Sequence, residues 1–98
     1  MIKVIPIGGY NEVGKNMTAV QVDDEVVIFD MGFYLPKLVA FEESGGNRRN
    51  LTSKGLTRLG AIPDDSCLDS VRDKVKAIIP GHCHLDHIGA IPYLADKY

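Results

Sequence analysis

The chain has few cysteines, no long apolar run and no excess of positive charge. Cys67 and Cys83 are the only two cysteines among 98 residues, which is too few for the disulfide framework of a small secreted domain. No apolar run approaches the roughly 20 residues that a membrane-spanning helix needs, and Met1–Val4 does not begin a signal peptide. These absences favour a protein of the reducing cytoplasm with no membrane partner.

The charges are nearly balanced, with 11 Lys and Arg against 13 Asp and Glu and a formal net charge of −2. The chain as a whole therefore lacks the basic footprint of many nucleic-acid-binding domains. A mild basic stretch runs through Arg48, Arg49, Lys54 and Arg58. Because so few charges would release few counterions from RNA, we interpret this stretch as ordinary solvated surface. The length allows at most one small domain.

Four short apolar segments predict β-strands at residues 2–7, Met17–Val22, Val26–Phe29 and Val75–Ile79. The first three lie close together in sequence and should form an antiparallel meander. The third is continuously apolar, which predicts a strand that is covered on both faces. Pro6 predicts that the first strand ends there or lies at the edge of the sheet.

Helical signals are weaker. Thr52 can cap a short helix that ends at Gly60, and a further helical turn is expected around Leu68. Between the third and fourth strands the pattern is otherwise irregular. Near the C-terminus, apolar residues at helical spacing predict one amphipathic helix. Its regular part should begin at residues 87–91, because Pro92 is tolerated only in a first turn.

All three histidines of the chain fall within a single segment, residues 82–87, which reads H-C-H-L-D-H. Imidazole and carboxylate groups are good ligands for zinc, iron or manganese. His82 and His84 are two residues apart and can hold one metal ion from the same side, whereas Asp86 and His87 diverge from them and can serve a second ion. The alternative is a solvated polar loop. The position after a buried strand favours a site with two metal ions.

Three other side chains have both a functional and a structural interpretation, and we prefer the structural one in each case. Cys83 should point away from the histidine pair as a small buried space-filler. Lys15, in a glycine-rich loop, can contact a phosphate, although a solvated lysine is the simpler interpretation. Tyr93 is assigned to helix packing rather than to base stacking.

The segment His82–His87 resembles the H-x-H-x-D-H signature of the metallo-β-lactamase superfamily. Asp30, at the end of the third strand, resembles the first motif of that superfamily, an aspartate that supports the metal-site loop. Three further segments, Gly8–Asn16, Leu59–Asp64 and Asp86–Leu94, are similar to ribonuclease J proteins of the β-CASP branch, in their archaeal form. The resemblance covers most of the chain.

The resemblance implies the N-terminal part of an αββα sandwich, an α/β fold with a mainly antiparallel sheet and one or two helices. It also implies a zinc-dependent ribonuclease, with two zinc ions per complete site and manganese as an option. By analogy His82 and His84 bind one ion, and Asp86 and His87 bind the other. Metal-activated water would attack the RNA phosphodiester in 5′–3′ exonuclease or endonuclease mode, with Asp86 orienting or deprotonating that water.

The family's further ligands and its β-CASP domain are expected downstream, so residues 1–98 should form an incomplete N-terminal segment. We therefore expect weak metal binding, no useful catalysis by the chain alone, an exposed apolar face and association into a homo-oligomer. Two alternatives stay open. One is a different hydrolase of the same superfamily, such as a thioesterase- or glyoxalase-like enzyme. The other is a non-catalytic metal-binding or assembly module.

Overall fold

A four-stranded sheet forms the base of the structure, a computed structural model that covers residues 1–98. Its strands are β1 (Ile2–Gly8), β2 (Met17–Val22), β3 (Glu25–Phe29) and β4 (Val75–Ile79), which are neighbours in that order. The pairs β1–β2 and β2–β3 are antiparallel, as predicted for a meander, whereas β3 and β4 are parallel. Pro6 lies in the edge strand β1, next to a register shift, so its predicted edge position is confirmed.

Short helices follow β3 and β4. They are α1 (Leu35–Glu43), α2 (Ser53–Leu59), α3 (Leu85–Ile88) and α4 (Ile91–Leu94), with 3₁₀ segments at Arg48–Asn50, Ser66–Lys74 and Ala95–Lys97. The predicted α/β class is confirmed, although the helices are more numerous than the one or two expected. None of them has the length and apolar character needed to cross a membrane.

Helix α2 follows its local sequence signals. The Thr52 hydroxyl accepts a hydrogen bond from the Gly55 amide at 3.2 Å, and Gly60 ends the helix with a φ of 86°, a conformation that suits glycine. Both predicted ends are therefore confirmed. Helix α1 was not predicted from the sequence. Pro36 lies in its first turn, where proline is tolerated.

The prediction of one C-terminal helix is wrong, because the helical structure begins at Leu85 and is broken between α3 and α4. At the break, the Ala90 amide donates to the Met31 carbonyl at 2.8 Å, outside the helix. The earlier start has a consequence for the metal motif. Asp86 and His87 lie in the first turn of α3 rather than in a loop before a helix.

The helices cover one face of the sheet. The buried core combines sheet residues such as Met17, Val26 and Ile28 with helix residues such as Leu56 and Leu94. Since all these side chains belong to one cluster, the helical layer and this sheet face form a single hydrophobic core.

The opposite face of the sheet is apolar and open. Cross-strand partners on it include Ile2 with Val22 and Phe29 with Ile79, and these four side chains are 70%, 47%, 40% and 43% exposed. The expected exposed apolar face is therefore present. The prediction that the third strand is covered on both faces is wrong, because only the helical layer packs against β3.

Candidate metal centre

The parallel pairing of β3 and β4 places the ends of both strands at the same edge of the sheet. Asp30 directly follows β3. His82 and His84 lie in the loop after β4, and Asp86 and His87 belong to α3, which continues that loop. All five predicted site residues therefore converge at one edge.

His82 and His84 form a close pair. Nε2 of His82 lies 3.0 Å from Nδ1 of His84, and the two ring centroids are 4.2 Å apart. Two nitrogens that bind one tetrahedral zinc ion at about 2.0–2.1 Å would be separated by about 3.3 Å. The two nitrogens are hydrogen-bonded to each other, at a distance only slightly shorter than this ligand spacing.

His87 is oriented by Asp30. Nδ1 of His87 lies 2.8 Å from Oδ2 of Asp30. A carboxylate only accepts, so Nδ1 carries the proton and the neutral ring keeps a lone pair on Nε2. The hydrogen bond to Asp30, reinforced by the charges of Asp30 and Asp86, raises the pKa of His87 above its ordinary value.

The free nitrogen of His87 faces a carboxylate and a second imidazole. Its Nε2 lies 3.5 Å from Oδ2 of Asp86, and its ring centroid lies 5.4 Å from that of His82. Asp86 and His87 therefore form a second pair, outside the group of His82, Cys83 and His84, whose donor atoms all lie within 4.8 Å of one another. The imidazole and carboxylate groups of the two pairs suit zinc and also accommodate manganese or iron.

Asp30 links three parts of the site. Its Oδ1 accepts from the Gly81 amide at 2.6 Å, and its own amide donates to the Ile79 carbonyl at 3.0 Å. Its backbone φ is +66°, a left-handed conformation that aspartate adopts more readily than most residues. Asp30 thus contacts the end of β4, the loop that follows it and the imidazole of His87.

The backbone of α3 is held against the residues that follow β3. The Met31 amide donates to the His87 carbonyl at 2.9 Å, and the Phe33 amide donates to the Leu85 carbonyl at 2.8 Å. Between them, Gly32 lies so close to α3 that an added Cβ would stand 1.8 Å from the Asp86 carbonyl oxygen. The sequence indicates only that Gly32 follows the end of the third strand, because its contact is with a distant part of the chain.

The prediction for Cys83 is wrong. Its side chain is exposed rather than buried, and its sulfur and the donor atoms of His82 and His84 all lie within 4.8 Å of one another. The reason is that the loop after β4 lies at the surface, with residues 80–85 all exposed. A thiol therefore stands beside the histidine pair.

Three of the other candidate side chains have partners within the protein. Lys15 Nζ lies 4.0 Å from Glu12 Oε1, and Arg48 pairs with both carboxylate oxygens of Glu42 at 2.8 Å. Tyr93 packs edge-on against Phe33 with ring centroids 6.3 Å apart, as predicted for helix packing.

Two clefts differ in their relation to the histidines. A cleft of about 440 Å³ borders the motif through His84 and Asp86 and has mainly apolar walls, including Phe33 and Leu35. A polar cleft of about 470 Å³, lined by residues such as Arg58, includes none of the predicted ligands. We associate the first with the site, because its wall contains two of the predicted ligands. A further cleft of about 440 Å³ contains His82 and Cys83 and borders the motif as well.

Comparison with known proteins identifies the family of the chain. A profile of the metallo-β-lactamase superfamily matches residues 10–98. The chain belongs to the metallo-β-lactamase superfamily. Proteins of this superfamily usually bind metal ions, and the matched range contains Asp30 and the whole H-C-H-L-D-H segment.

Within the superfamily, the chain is similar to proteins named ribonuclease J. It is 50% identical to that of Pyrococcus abyssi over 98 residues and 46% identical to that of Methanocaldococcus jannaschii over 97, which is 100% and 99% of this chain. It is 37% identical to that of Helicobacter pylori over 93 residues, 95% of this chain. The chain spans 21% of the length of each archaeal relative and 11% of the bacterial one.

Proposed function

We propose that this chain contributes part of the metal site of a metallo-β-lactamase-type ribonuclease. The observation that carries the proposal is the convergence of His82, His84, Asp86 and His87 at one sheet edge, with Asp30 bonded to the His87 ring at 2.8 Å. RNA as the substrate rests on the similarity to proteins named ribonuclease J.

We assign the ligands to two positions. His82 and His84 would hold one ion, and Asp86 and His87 would hold the second, with zinc preferred for its affinity for imidazole and manganese as the alternative. Divalent ions at such a site lower the pKa of water and stabilise negative charge on a phosphate. Asp86, whose side chain is 37% exposed, is the group that would orient the attacking water or take its proton.

We assign the complete activity to a protein of the length of these relatives. The chain spans about a fifth of the archaeal relatives, so further ligands and an RNA-binding β-CASP domain would come from residues outside the 98. Hydrolysis of RNA, as a 5′–3′ exonuclease, an endonuclease or both, is proposed for that protein. The 98-residue chain would bind metal weakly. Its open apolar sheet face supports self-association, and its two free cysteines fit the reducing cytoplasm.

Zinc titration of the chain tests this proposal. We expect weak binding that loses one component in the H82A/H84A double variant and the other in D86N/H87A, while a Glu25→Gln control, at the exposed start of β3, leaves both unchanged. Absence of zinc binding, or binding that survives all four changes, would contradict the ligand assignment. A 5′-labelled RNA should not be cut efficiently by the chain alone. Efficient cleavage that EDTA abolishes would show that the 98 residues suffice for catalysis.

A second candidate is a metal-dependent assembly module, favoured by the exposure of His82, Cys83 and His84. Ligands at the surface can be completed by a second copy of the chain. Metal content measured with light scattering, before and after chelation, separates the two candidates. One ion shared by a dimer that dissociates in EDTA would favour the module over the ribonuclease site.

A further inference from the structure

Asn16, in the loop between β1 and β2, contacts the backbone of the metal motif in α3. The carbonyl oxygen of Asp86 accepts two hydrogen bonds from this one residue, from the side-chain Nδ2 at 2.8 Å and from the backbone amide at 3.2 Å. The two residues are 70 positions apart. Asn16 therefore fixes the peptide group that joins Asp86 to His87.

The Asp86 carbonyl is available because the helix leaves it unused. In a continuous α-helix it would accept from the amide of Ala90. Here that amide donates instead to the Met31 carbonyl at 2.8 Å. A buried or half-buried carbonyl without a partner is costly, and Asn16 supplies the missing donors.

The surroundings of Asn16 restrict it to this position. Its carbonyl accepts from the Gly32 amide at 2.9 Å. A Cβ added at Gly9 would lie 2.3 Å from its Oδ1, and one at Gly32 would lie 2.6 Å from its backbone nitrogen. Because Gly9 and Gly32 have no side chains, the Asn16 carboxamide has the space that it needs to reach α3.

We propose that Asn16 is a positioning residue for the Asp86–His87 half of the metal site. It acts through the Asp86 peptide group, which determines where the Asp86 carboxylate and the His87 ring point. The Asp30 hydrogen bond orients the ring of His87 from one side, and Asn16 holds its backbone from the other. This inference rests on the proposed function, since it assigns Asn16 to the second of the two metal positions.

The test compares Asn16→Asp and Asn16→Ala with the matched control Asn11→Asp, which makes the same change at an exposed position of the same loop. Asn16→Asp keeps the shape but replaces the donor with an acceptor that faces the Asp86 carbonyl. Asn16→Ala removes the donor without adding charge. Zinc is titrated into the 98-residue chain while the ring resonances of the three histidines are followed separately by NMR.

We expect both Asn16 variants to weaken zinc binding at His87 by about 10- to 100-fold, the usual effect of losing a group that orients a ligand. Binding at His82 and His84 should stay as in the parent and in Asn11→Asp. Parent-like zinc binding at His87 overturns the proposal. Equal loss at all three histidines, or loss of the folded spectrum in both variants, also overturns it, because Asn16 would then be only a general structural residue.

The experiment also distinguishes failure of the positioning role from failure of the ligand assignment. If the parent binds no zinc at any histidine, the ligand assignment fails, and the positioning role is judged from the metal-free spectra. Asn16→Ala must then shift the His87 ring resonances and leave those of His82 in place. Unchanged His87 resonances would overturn the positioning role.

Discussion

Oδ2 of Asp30 and Nδ1 of His87 lie 2.8 Å apart, although 57 residues separate them in the chain. Asp30 ends one strand of a parallel pair, and His87 lies in the helix that follows the other. The contact therefore exists only if β3 and β4 pair in register. It determines which nitrogen of His87 faces the other candidate ligands.

Asp30→Asn should reverse the tautomer of His87. The amide can turn its NH₂ group toward Nδ1, so that Nδ1 accepts and Nε2 carries the proton, which removes the lone pair that a metal ion needs. We expect zinc affinity at His87 to fall about 10- to 100-fold. Nitrogen NMR of the ring checks the tautomer, and zinc titration checks the affinity.

Asp23→Asn is the matched control for this change, because Asp23 also has a left-handed backbone, with a φ of 53°, but lies far from the motif in an exposed turn. It should leave the tautomer and the zinc affinity as in the parent. A His87 that keeps its proton on Nδ1 in Asp30→Asn would contradict the role given to Asp30.

The metal-free chain should gain stability from His87 at low pH. Asp30 raises the pKa of His87 in the folded state above the value of about 6.5 in an unfolded chain. The stabilisation is therefore fully present below the unfolded pKa and is lost as the pH rises through the folded pKa. Urea unfolding in the presence of EDTA should show a larger loss for His87→Gln at about pH 5.5 than at about pH 8.5. A loss that does not change with pH, or that matches that of His84→Gln at both values, would argue against the Asp30 interaction.

Zinc should protect Cys83 from alkylation. Its exposed thiol lies within 4.8 Å of the donor atoms of His82 and His84, so an ion held by that pair hinders access to the sulfur. In a Cys67→Ser background, we expect zinc to slow reaction with iodoacetamide several-fold. In the complementary Cys83→Ser background, the rate at Cys67 should not change with zinc. Equal rates at Cys83 with and without zinc would show that the ion does not bind beside the thiol.

Gly32→Ala should destabilise the fold, because the added methyl group would lie 1.8 Å from the Asp86 carbonyl oxygen. Backbone on both sides leaves little room to relax, so we expect a loss of at least about 2 kcal/mol in unfolding free energy. Gly55→Ala is the control. It lies in helix α2 with its closest contact to a flexible Leu51 methyl at 3.3 Å, and alanine there should change stability by no more than about 1 kcal/mol. Similar urea midpoints for both variants would contradict the close packing at Gly32.

Local signals were enough to predict the strands and helix α2. β-branched runs mark β2 and β4, and Thr52 and Gly60 mark both ends of α2, because these preferences act within a few residues. The break between α3 and α4 could not be predicted in this way. It depends on the hydrogen bond from Ala90 to Met31, which joins distant parts of the chain.

The candidate ligands could be predicted from their local spacing, and Asp30 from its family motif, whereas Asn16 could not be linked to the site from the sequence. His82, His84, Asp86 and His87 are neighbours in sequence, so their spacing alone indicates a metal site. Asn16 reaches Asp86 across 70 residues, and no local pattern indicates that contact. The error at Cys83 has a related cause, because exposure depends on what packs over a loop.

Tyr98→Phe should loosen the end of the chain from the segment that precedes the 3₁₀ turn at Ser66–Lys74. The Tyr98 hydroxyl lies 2.5 Å from Oδ2 of Asp65, whose side chain is buried and also accepts from Lys97 at 2.9 Å. Burial, followed by this bond to Asp65, raises the pKa of Tyr98, so the hydroxyl donates at neutral pH. Removing a donor to a buried carboxylate should cost about 1–3 kcal/mol.

The control variant is Tyr10→Phe. It removes a hydroxyl that bonds Thr18 at an exposed position and should cost less than about 0.5 kcal/mol. If urea unfolding gave equal losses for the two variants, Asp65 would not be the group that anchors the C-terminal residues to the core.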